Sequence, residues 1–501
     1  MSTDSTKWLK LKSGSEIRGP EEMLTNEFAA RVGYVFALWL AEKIGTTPDR
    51  LKIAVGHDSR KSAKRLKSAL VQGVTAADSD VLDCGLCAAP ALFMTVRRSD
   101  TGANGAVMIT ASHHAAGLNG FKFMTSDGEL KEADIADIIR LAENSEVPER
   151  LVEKMDFMSV YLDNLSAMVR RQLEDDAVKP LLGMHVVVDA SNGAGGFYAD
   201  FLEDLGAETE GSRCLEPDGA FPGHVPDPED PAALEALRQA VVDNEADMGV
   251  IFDSDCDRAA IVDHNGKVIS GNRMIALMAA ILLEENPGAT FVTDSVTSSG
   301  LSRFIAEWGG VHYRFKRGYR NVIDEAMRLN DEGIDCPLAI ETSGHAAFRE
   351  NMFLDDGIYL VTRIICEAFE RKRQGETLSS LIDDLQEPVE SVEIRLPILD
   401  EEDPSASSQE IVEMILSHTL NNPEWIMASD SREGVRICFN LDGGVSNAWF
   451  QLRMSVHDPV MPLNAQSDVP GGVRYLLGQL YALIRDSELL DLALLKAAIE
   501  E

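Results

Sequence analysis

Positive charge is what this chain has least of. Its 501 residues carry 46 Lys and Arg against 83 Asp and Glu, a formal net charge of −37. A surface of that sign repels nucleic-acid phosphates and anionic lipid headgroups, so neither nucleic acid nor membrane is expected as a partner. Cysteines are few as well. The seven, at 84, 87, 214, 256, 336, 366 and 438, form an odd and scattered set that builds no disulfide framework and fits a reducing compartment. Cys84 and Cys87 make a Cys-x-x-Cys, yet Ala88-Ala-Pro-Ala follows and a second ligand pair is missing, so they read as cysteines of a strand-to-turn transition. Long apolar runs are absent: no stretch reaches bilayer-spanning length, and Met1-Ser-Thr-Asp-Ser-Thr-Lys-Trp8 has no apolar core of a secretion signal. A soluble cytoplasmic protein is expected, with an organelle such as a plastid left open.

What is present is apolar content of 45%, enough over this length for several cores and for three or four domains. Short apolar runs alternate with amphipathic helical stretches, the pattern of α/β domains with mainly parallel sheets. Leu51-Lys-Ile-Ala-Val55 leads through Gly56-His-Asp-Ser59 into a helix-like stretch from Lys61 to Val74. His185-Val-Val-Val-Asp189 ends in Ala-Ser-Asn-Gly-Ala-Gly-Gly before helix-like Phe197 to Leu205, and Met248-Gly-Val-Ile-Phe252 runs into an acidic turn. Ligands of open α/β sheets bind beyond the carboxyl ends of strands, so these exits are where chemistry is expected. Pro- or charge-rich connections divide the chain into segments 1–155, 156–286, 287–388 and 389–501. The last differs: extended Val435 to Asn440 and Trp449 to Met454 precede a helix-like Val473 to Asp486, which suggests an α+β domain.

Four loops carry chemistry. Ile109-Thr-Ala-Ser-His-His-Ala-Ala-Gly-Leu-Asn-Gly-Phe-Lys-Phe123 presents Ser112 among Thr110, His113, His114 and Lys122, groups that could activate a hydroxyl. Phe252-Asp-Ser-Asp-Cys-Asp-Arg258 places Asp253, Asp255 and Asp257 at alternate positions, a hard-oxygen set suited to Mg²⁺, with Arg258 either holding a phosphoryl oxygen or pairing with an aspartate. An EF-hand is excluded, because the glycine and the late glutamate are missing. Glu341-Thr-Ser-Gly-His345 offers donors and acceptors of the kind that orient sugar hydroxyls; it is no nucleophile elbow, which needs Gly-x-Ser-x-Gly. Arg453-Met-Ser455 with following backbone amides could clamp a phosphate, or it is an ordinary strand-to-turn transition stopped at Pro459.

In this order the motifs resemble the α-D-phosphohexomutase superfamily, which includes phosphoglucomutase and phosphomannomutase, over nearly the whole chain. Glu16-Ile-Arg-Gly19, Gly56-His-Asp-Ser-Arg-Lys-Ser62, Asp189-Ala-Ser-Asn-Gly-Ala-Gly195, Pro217-Asp-Gly-Ala-Phe-Pro222 and Lys316-Arg-Gly-Tyr319 agree with it. The resemblance implies four domains, three mixed-sheet α/β and a C-terminal α+β, arranged as a heart around a central cleft. It also implies a mutase that interconverts hexose 1-phosphate and 6-phosphate, of glucose or mannose or both, through phosphorylated Ser112 and a hexose 1,6-bisphosphate that serves as intermediate and activator. One Mg²⁺ per chain would be held by Ser112, Asp253, Asp255 and Asp257. Lys122, Arg18, His345 and His113 are then the candidate catalytic side chains beside Ser112. Arg258, Gly318, Tyr319, Glu341, Ser343, Arg453, Ser455 and His457 are the candidate substrate contacts. The expected partners are hexose phosphates, and the expected state is a monomer or homodimer.

Departures from the family pattern motivate one alternative, a weakly active paralogue that binds sugar phosphate in a regulatory or structural role. His114 stands where asparagine is usual and adds a titratable group. The phosphate loop continues as Val456-His-Asp458, and Pro462 and Asn464 occupy places where a further arginine could fall. Loss of that guanidinium fork and gain of Asp458 should weaken phosphate binding. Arg317, where an apolar residue is more usual, could compensate.

Overall fold

A computed structural model describes residues 7–147, 153–400, 403–455 and 458–500. They fall into two compact units, Met1–Ser270 with Ser343–Leu378, and Gly271–Thr342 with Ser379–Glu501.

The first unit contains two sheets. Lys52–His57 is buried over most of its length and runs parallel to both Asp80–Leu86 and Gly105–Ile109. Leu118–Thr125 returns antiparallel to Gly105–Ile109 and is flanked, again antiparallel, by Glu16–Pro20. The sheet is therefore mixed, and the reason is loop length: only the eight residues between Ile109 and Leu118 join those two strands, too few for a crossover to a parallel neighbour. This reversal brings the Ser112 loop, the exit of Lys52–His57 and Arg18 to one edge of the sheet. The second sheet repeats the device. Val186–Asp189 pairs in parallel with Met248–Phe252, which turns through the acidic residues into antiparallel Ala259–Asp263.

Helices cover the first sheet because their apolar faces have no other place to go. Asn26–Ile44 starts at Thr25, whose hydroxyl accepts from Phe28 N at 3.1 Å, and stops at Gly45, which takes the left-handed conformation (φ 70°) that favours glycine. Phe28, Phe36 and Leu40 from this helix, Leu66 and Leu70 from Ala63–Ala76, and Phe121 and Phe123 from the sheet share one core. Each large side chain so buried contributes about 1.5–3 kcal/mol. The two helices approach so closely that a Cβ on Gly73 would lie 1.8 Å from the carbonyl oxygen of Ala30, and one on Gly33 would lie 2.2 Å from that of Leu70.

The second unit also has two kinds of sheet. Val311–Arg314, Thr290–Thr293 and Leu338–Ile340 are parallel neighbours, Thr290–Thr293 in the middle. Glu390–Pro397, Val460–Ser467, Ala448–Leu452, Val435–Phe439 and Ile426–Met427 form an antiparallel sheet, with Gly472–Ile484 packed on it. The last segment is thus α+β, and the chain as a whole is mixed α/β. Among the described residues no helix is long and apolar enough to cross a membrane. Cys84 lies in the strand Asp80–Leu86 and Cys87 just beyond it, both buried and free.

Gly73→Ala forces the helix pair apart and is expected to destabilise the first unit by about 1–3 kcal/mol, the usual cost of overpacking. Urea or thermal unfolding followed by circular dichroism checks this; an unchanged midpoint would show that the helices separate freely.

Candidate active site

Ser112 sits where the strand Gly105–Ile109 has ended and the chain must reverse. Its φ of 53° is left-handed, a conformation that an L-residue holds only when its surroundings insist. The surroundings are two buried charged residues at the neighbouring strand exit. Arg60 donates through Nη2 to the carbonyls of Ser112 (2.5 Å) and His114 (2.6 Å), and through Nη1 to those of Ala115 and Leu118, both at 3.0 Å. Its Nε meets Asp58 Oδ2 at 3.0 Å. That same carboxylate oxygen accepts from Thr110 Oγ1 at 2.8 Å, and Thr110 Oγ1 in turn accepts from Ser112 N at 2.8 Å. Ser254 from the acidic turn joins in, its hydroxyl lying 2.7 Å from the Ser112 carbonyl and 3.1 Å from Asp58 Oδ2. Asp58, Arg60 and Ser254 were not singled out from the sequence as site residues. The available signal was Gly56-His-Asp-Ser-Arg, a charged pair set directly after an apolar strand.

The serine hydroxyl faces the acidic turn. Ser112 Oγ donates to Asp253 Oδ2 at 2.7 Å and accepts from Arg258 Nη2 at 3.1 Å. Arg258 Nη2 also lies 3.4 Å from Asp253 Oδ2 and donates to His113 Nδ1, so Arg258 pairs with an aspartate while it meets the serine hydroxyl. Asp253, Asp255 and Asp257 offer oxygens that all lie within 4.8 Å of one another. Lys122, brought to the turn by the strand Leu118–Thr125, contacts Asp255 Oδ2 at 2.9 Å and also pairs with Asp257. Burial would depress its ammonium, but Asp255, Asp257 and Glu16 outweigh that and hold it well above the usual lysine value. Burial and the neighbouring carboxylates push the Asp253 carboxyl up. At Asp257 burial is outweighed by Lys122, His345 and Arg258, and the carboxyl is pushed down.

This cluster fits a divalent cation. Asp255 Oδ1 and Asp257 Oδ1 are buried and, among the described residues, accept no hydrogen bond. Buried carboxylate oxygens in that state are costly unless a cation meets them, and a hard-oxygen set is the one that Mg²⁺ prefers.

His113 and His114 stack with ring centroids 4.5 Å apart. Burial and Arg258 push the His113 imidazole down, and burial with Arg18 and Arg60 pushes that of His114 down to about 4. Both rings are neutral at neutral pH, so the histidine that replaces asparagine adds no positive charge there. Arg18, on Glu16–Pro20 opposite Gly120, pairs with Glu16. His345 reaches the same neighbourhood through a bridge between its backbone and that of Arg258, a contact that Gly344 permits with φ 93° and a Cβ position 2.4 Å from the Ala259 carbonyl. His345 Nδ1 lies 2.6 Å from Asp355 Oδ2, a partner that sequence reading had not found. Ser343 Oγ is buried and meets no hydrogen-bond partner among the described residues.

The remaining candidates lie in the second unit. Gly318 (φ 111°) precedes the helix Tyr319–Asp331, and its N–H donates to Glu341 Oε1 at 2.6 Å, so one oxygen of Glu341 is already engaged. Arg453 is buried, with Nε 3.9 Å from Glu433 Oε2; that oxygen also accepts from Arg317 N at 3.1 Å and from the Ser295 hydroxyl. Burial lowers the Arg453 guanidinium despite Glu433, and Arg317 adds to the lowering, which places a second positive charge near the first. Asp458 is exposed, its Oδ2 2.7 Å from Arg395 Nη2, and its N–H donates to Ser455 Oγ at 3.4 Å. Its charge is therefore partly met by Arg395 instead of opposing Arg453 alone. His457 lies outside the described residues.

Comparison with known proteins adds the following. Three family models match in order: phosphoglucomutase/phosphomannomutase α/β/α domain I over residues 10–148, domain II over 159–266 and domain III over 270–389. A phosphomannomutase/phosphoglucomutase of Pseudomonas putida is 31% identical over 441 residues, 86% of this chain and 88% of the relative. A phosphoglucomutase/phosphomannomutase family protein of Burkholderia thailandensis shares the fold with a TM-score of 0.76 at 24% identity, covering 96% of this chain and 99% of the other. Two structures of Aspergillus fumigatus N-acetylphosphoglucosamine mutase, TM-scores 0.58 and 0.56 at 12% identity and each covering 97% of this chain and 99% of theirs, hold glucose 1,6-bisphosphate and GlcNAc-6P with magnesium respectively.

Asp255→Asn removes one of the three carboxylate charges and should weaken divalent-cation binding at least about tenfold, or about 1.4 kcal/mol. Calorimetric titration with Mg²⁺ measures it, and unaltered affinity would remove Asp255 from the ligand set.

Proposed function

The chain belongs to the phosphoglucomutase/phosphomannomutase family, and from that premise we propose that it interconverts hexose 1-phosphates and hexose 6-phosphates of glucose, mannose or both, with Ser112 as phosphoryl carrier. The observation that carries the assignment is the position of Ser112 Oγ: 2.7 Å from Asp253 and 3.1 Å from Arg258, on a loop pinned by Arg60. A hydrolytic serine would need a base at its hydroxyl and an oxyanion hole beside it. Ser112 instead has a carboxylate cluster and a guanidinium, groups suited to a transferring phosphoryl and its charge.

In the proposed cycle the phosphoryl on Ser112 passes to the free hydroxyl of the sugar phosphate. The Oγ–P bond breaks, a bond from phosphorus to the sugar oxygen forms, and the hydroxyl proton goes to His345 Nε2. Asp355 Oδ2 stands 2.6 Å from Nδ1 of that ring. The bisphosphate then presents its other phosphoryl: that P–O bond breaks, phosphorus rejoins Oγ, and a proton returns to the sugar oxygen left behind. Arg258, in contact with Oγ, balances charge on the moving group. Lys122 keeps its proton between Asp255 and Asp257, which suits it to charge stabilisation rather than to proton removal. Asp253, Asp255 and Asp257, with Ser112, are the proposed holders of one Mg²⁺, which when bound neutralises phosphoryl charge as a Lewis acid.

Arg258, Gly318, Tyr319, Glu341 and Ser343 are assigned to the sugar and its substituents, and Arg453, Ser455 and His457 to the phosphate that is held rather than transferred. Support for a bisphosphate ligand comes from the Aspergillus mutase that holds one. Four domains with boundaries 1–155, 156–286, 287–388 and 389–501 are proposed; one sheet begins within each. No observation favours a regulatory paralogue.

A coupled assay that follows glucose 6-phosphate formed from glucose 1-phosphate, with Mg²⁺ and a trace of glucose 1,6-bisphosphate, is expected to show turnover. Mannose 1-phosphate is assayed in parallel, and absence of turnover on either substrate, with binding retained, would overturn the reading. Ser112→Ala should abolish activity with the fold intact, and intact-mass analysis of the wild-type chain should find a fraction carrying one phosphate that maps to Ser112. Arg453→Ala should raise KM at least about tenfold, the scale of one charge-assisted phosphate contact; a KM unmoved would reassign the phosphate loop.

A further inference from the structure

Behind the acidic turn lies a second group of metal-type donors that phosphoryl transfer does not use. Asp189 ends the strand Val186–Asp189, Cys214 follows Arg213, whose backbone bridges to Asp189, and His224 comes from the irregular segment beyond. One ligand atom of each lies within 4.8 Å of the others. Asp189 is fully buried, and the His224 side chain is 6% exposed. The imidazole is oriented: Nδ1 donates to the Val225 carbonyl at 2.7 Å, which turns Nε2 toward Asp189, 3.1 Å from Oδ1 and 3.0 Å from Oδ2. A ring held by a backbone carbonyl at one nitrogen, with the other turned toward a carboxylate and a thiol, is the usual orientation of a metal-bound histidine. Room at the sulfur is kept by a glycine, since a Cβ on Gly223 would stand 2.4 Å from Cys214 Sγ.

We propose that Asp189, Cys214 and His224 form a binding site for a borderline-soft divalent cation of the zinc class, separate from the carboxylate cluster at Ser112. One thiolate, one imidazole and one carboxylate make a mixed donor set that selects Zn²⁺ over Mg²⁺, with water left to complete a tetrahedron. In the metal-free chain Nε2 meets the Asp189 carboxylate through its proton, 3.1 Å from Oδ1 and 3.0 Å from Oδ2. Binding therefore displaces the protons of Nε2 and Sγ and forms bonds from the cation to nitrogen, sulfur and an Asp189 oxygen. Arg213 Nε, 3.1 Å from Asp189 Oδ2 on a side chain 35% exposed, must swing toward solvent.

The site is at the root of the loop that backs the acidic turn. Ser191 Oγ donates to the Phe252 carbonyl at 2.6 Å, Ala194 N to that of Ser254 at 2.8 Å, and a Cβ on Gly193 would stand 2.7 Å from Ser254 Cα. Occupancy stiffens that loop without touching the three aspartates.

Cobalt substitution tests the proposal with the full chain, independently of any mutase activity. In excess Mg²⁺, anaerobic titration with Co²⁺ should develop a thiolate-to-cobalt charge-transfer band and the strong d–d bands of a tetrahedral ion, saturating at one Co²⁺ per chain and bleached by Zn²⁺. Cys214→Ser should remove the charge-transfer band, His224→Gln should weaken binding at least tenfold, and Asp255→Asn should leave the spectrum unchanged. A chain that binds Co²⁺ without the charge-transfer band, or a band that survives in Cys214→Ser with native circular dichroism, overturns it. Should Cys214→Ser fail to fold, full-strength binding in folded His224→Gln overturns it equally.

Discussion

The buried pair of Asp58 and Arg60 is the interaction on which the site depends. A guanidinium taken out of water is costly, and one carboxylate does not offset the cost alone. Here the rest of the fork is met by three backbone carbonyls of the serine loop and that of Leu118, where the next strand begins, so the charge is satisfied only when that loop is folded around it. Hydrogen bonds to a charged group contribute about 1.5–3 kcal/mol each. Together they can hold Ser112 in its left-handed conformation. The hydroxyl is thus placed before any ligand arrives, which is what preorganised catalysis requires.

Placement of the serine is then coupled to charge. Lys122 reaches Asp255 and Asp257 because the strand after the serine loop returns antiparallel, and the return is antiparallel because the loop is short. Two carboxylate oxygens remain unmet in the buried cluster. These oxygens are the ones that the proposed divalent cation would satisfy. The net charge of −37 is spread over the whole chain, while at the Ser112 hydroxyl itself the guanidinium of Arg258 is in contact.

Much of this was legible in the sequence, for a physical reason. Ser112 and the three aspartates are local patterns at strand exits, and the alternation of Asp253, Asp255 and Asp257 already implies convergence in a tight turn. The last segment's antiparallel sheet was legible in Val435 to Asn440 and Trp449 to Met454. The mixed character of the first sheet was less so, because parallel and antiparallel strands buried on both faces have the same apolar look. Supporting residues were hidden by distance along the chain. Arg60 acts on carbonyls 52 to 58 positions away, Ser254 on a carbonyl 142 away, and Glu433 on a backbone N–H 116 away. Carbonyl acceptors have no side-chain signature at all. Glu341 shows the converse: it read as one of the loop's acceptors for sugar hydroxyls, and the positive φ of Gly318 turns an N–H onto one of its oxygens.

Ser254 faces two acceptors, the Ser112 carbonyl and Asp58 Oδ2, with a hydroxyl that has a single hydrogen. At any instant one of the two oxygens goes without it. Rotation of that one bond transfers a hydrogen bond from the loop backbone to the buried carboxylate with no movement of heavy atoms. The serine loop therefore has a degree of freedom that costs no packing, so its grip on Ser112 can slacken and tighten without any shift of the backbone.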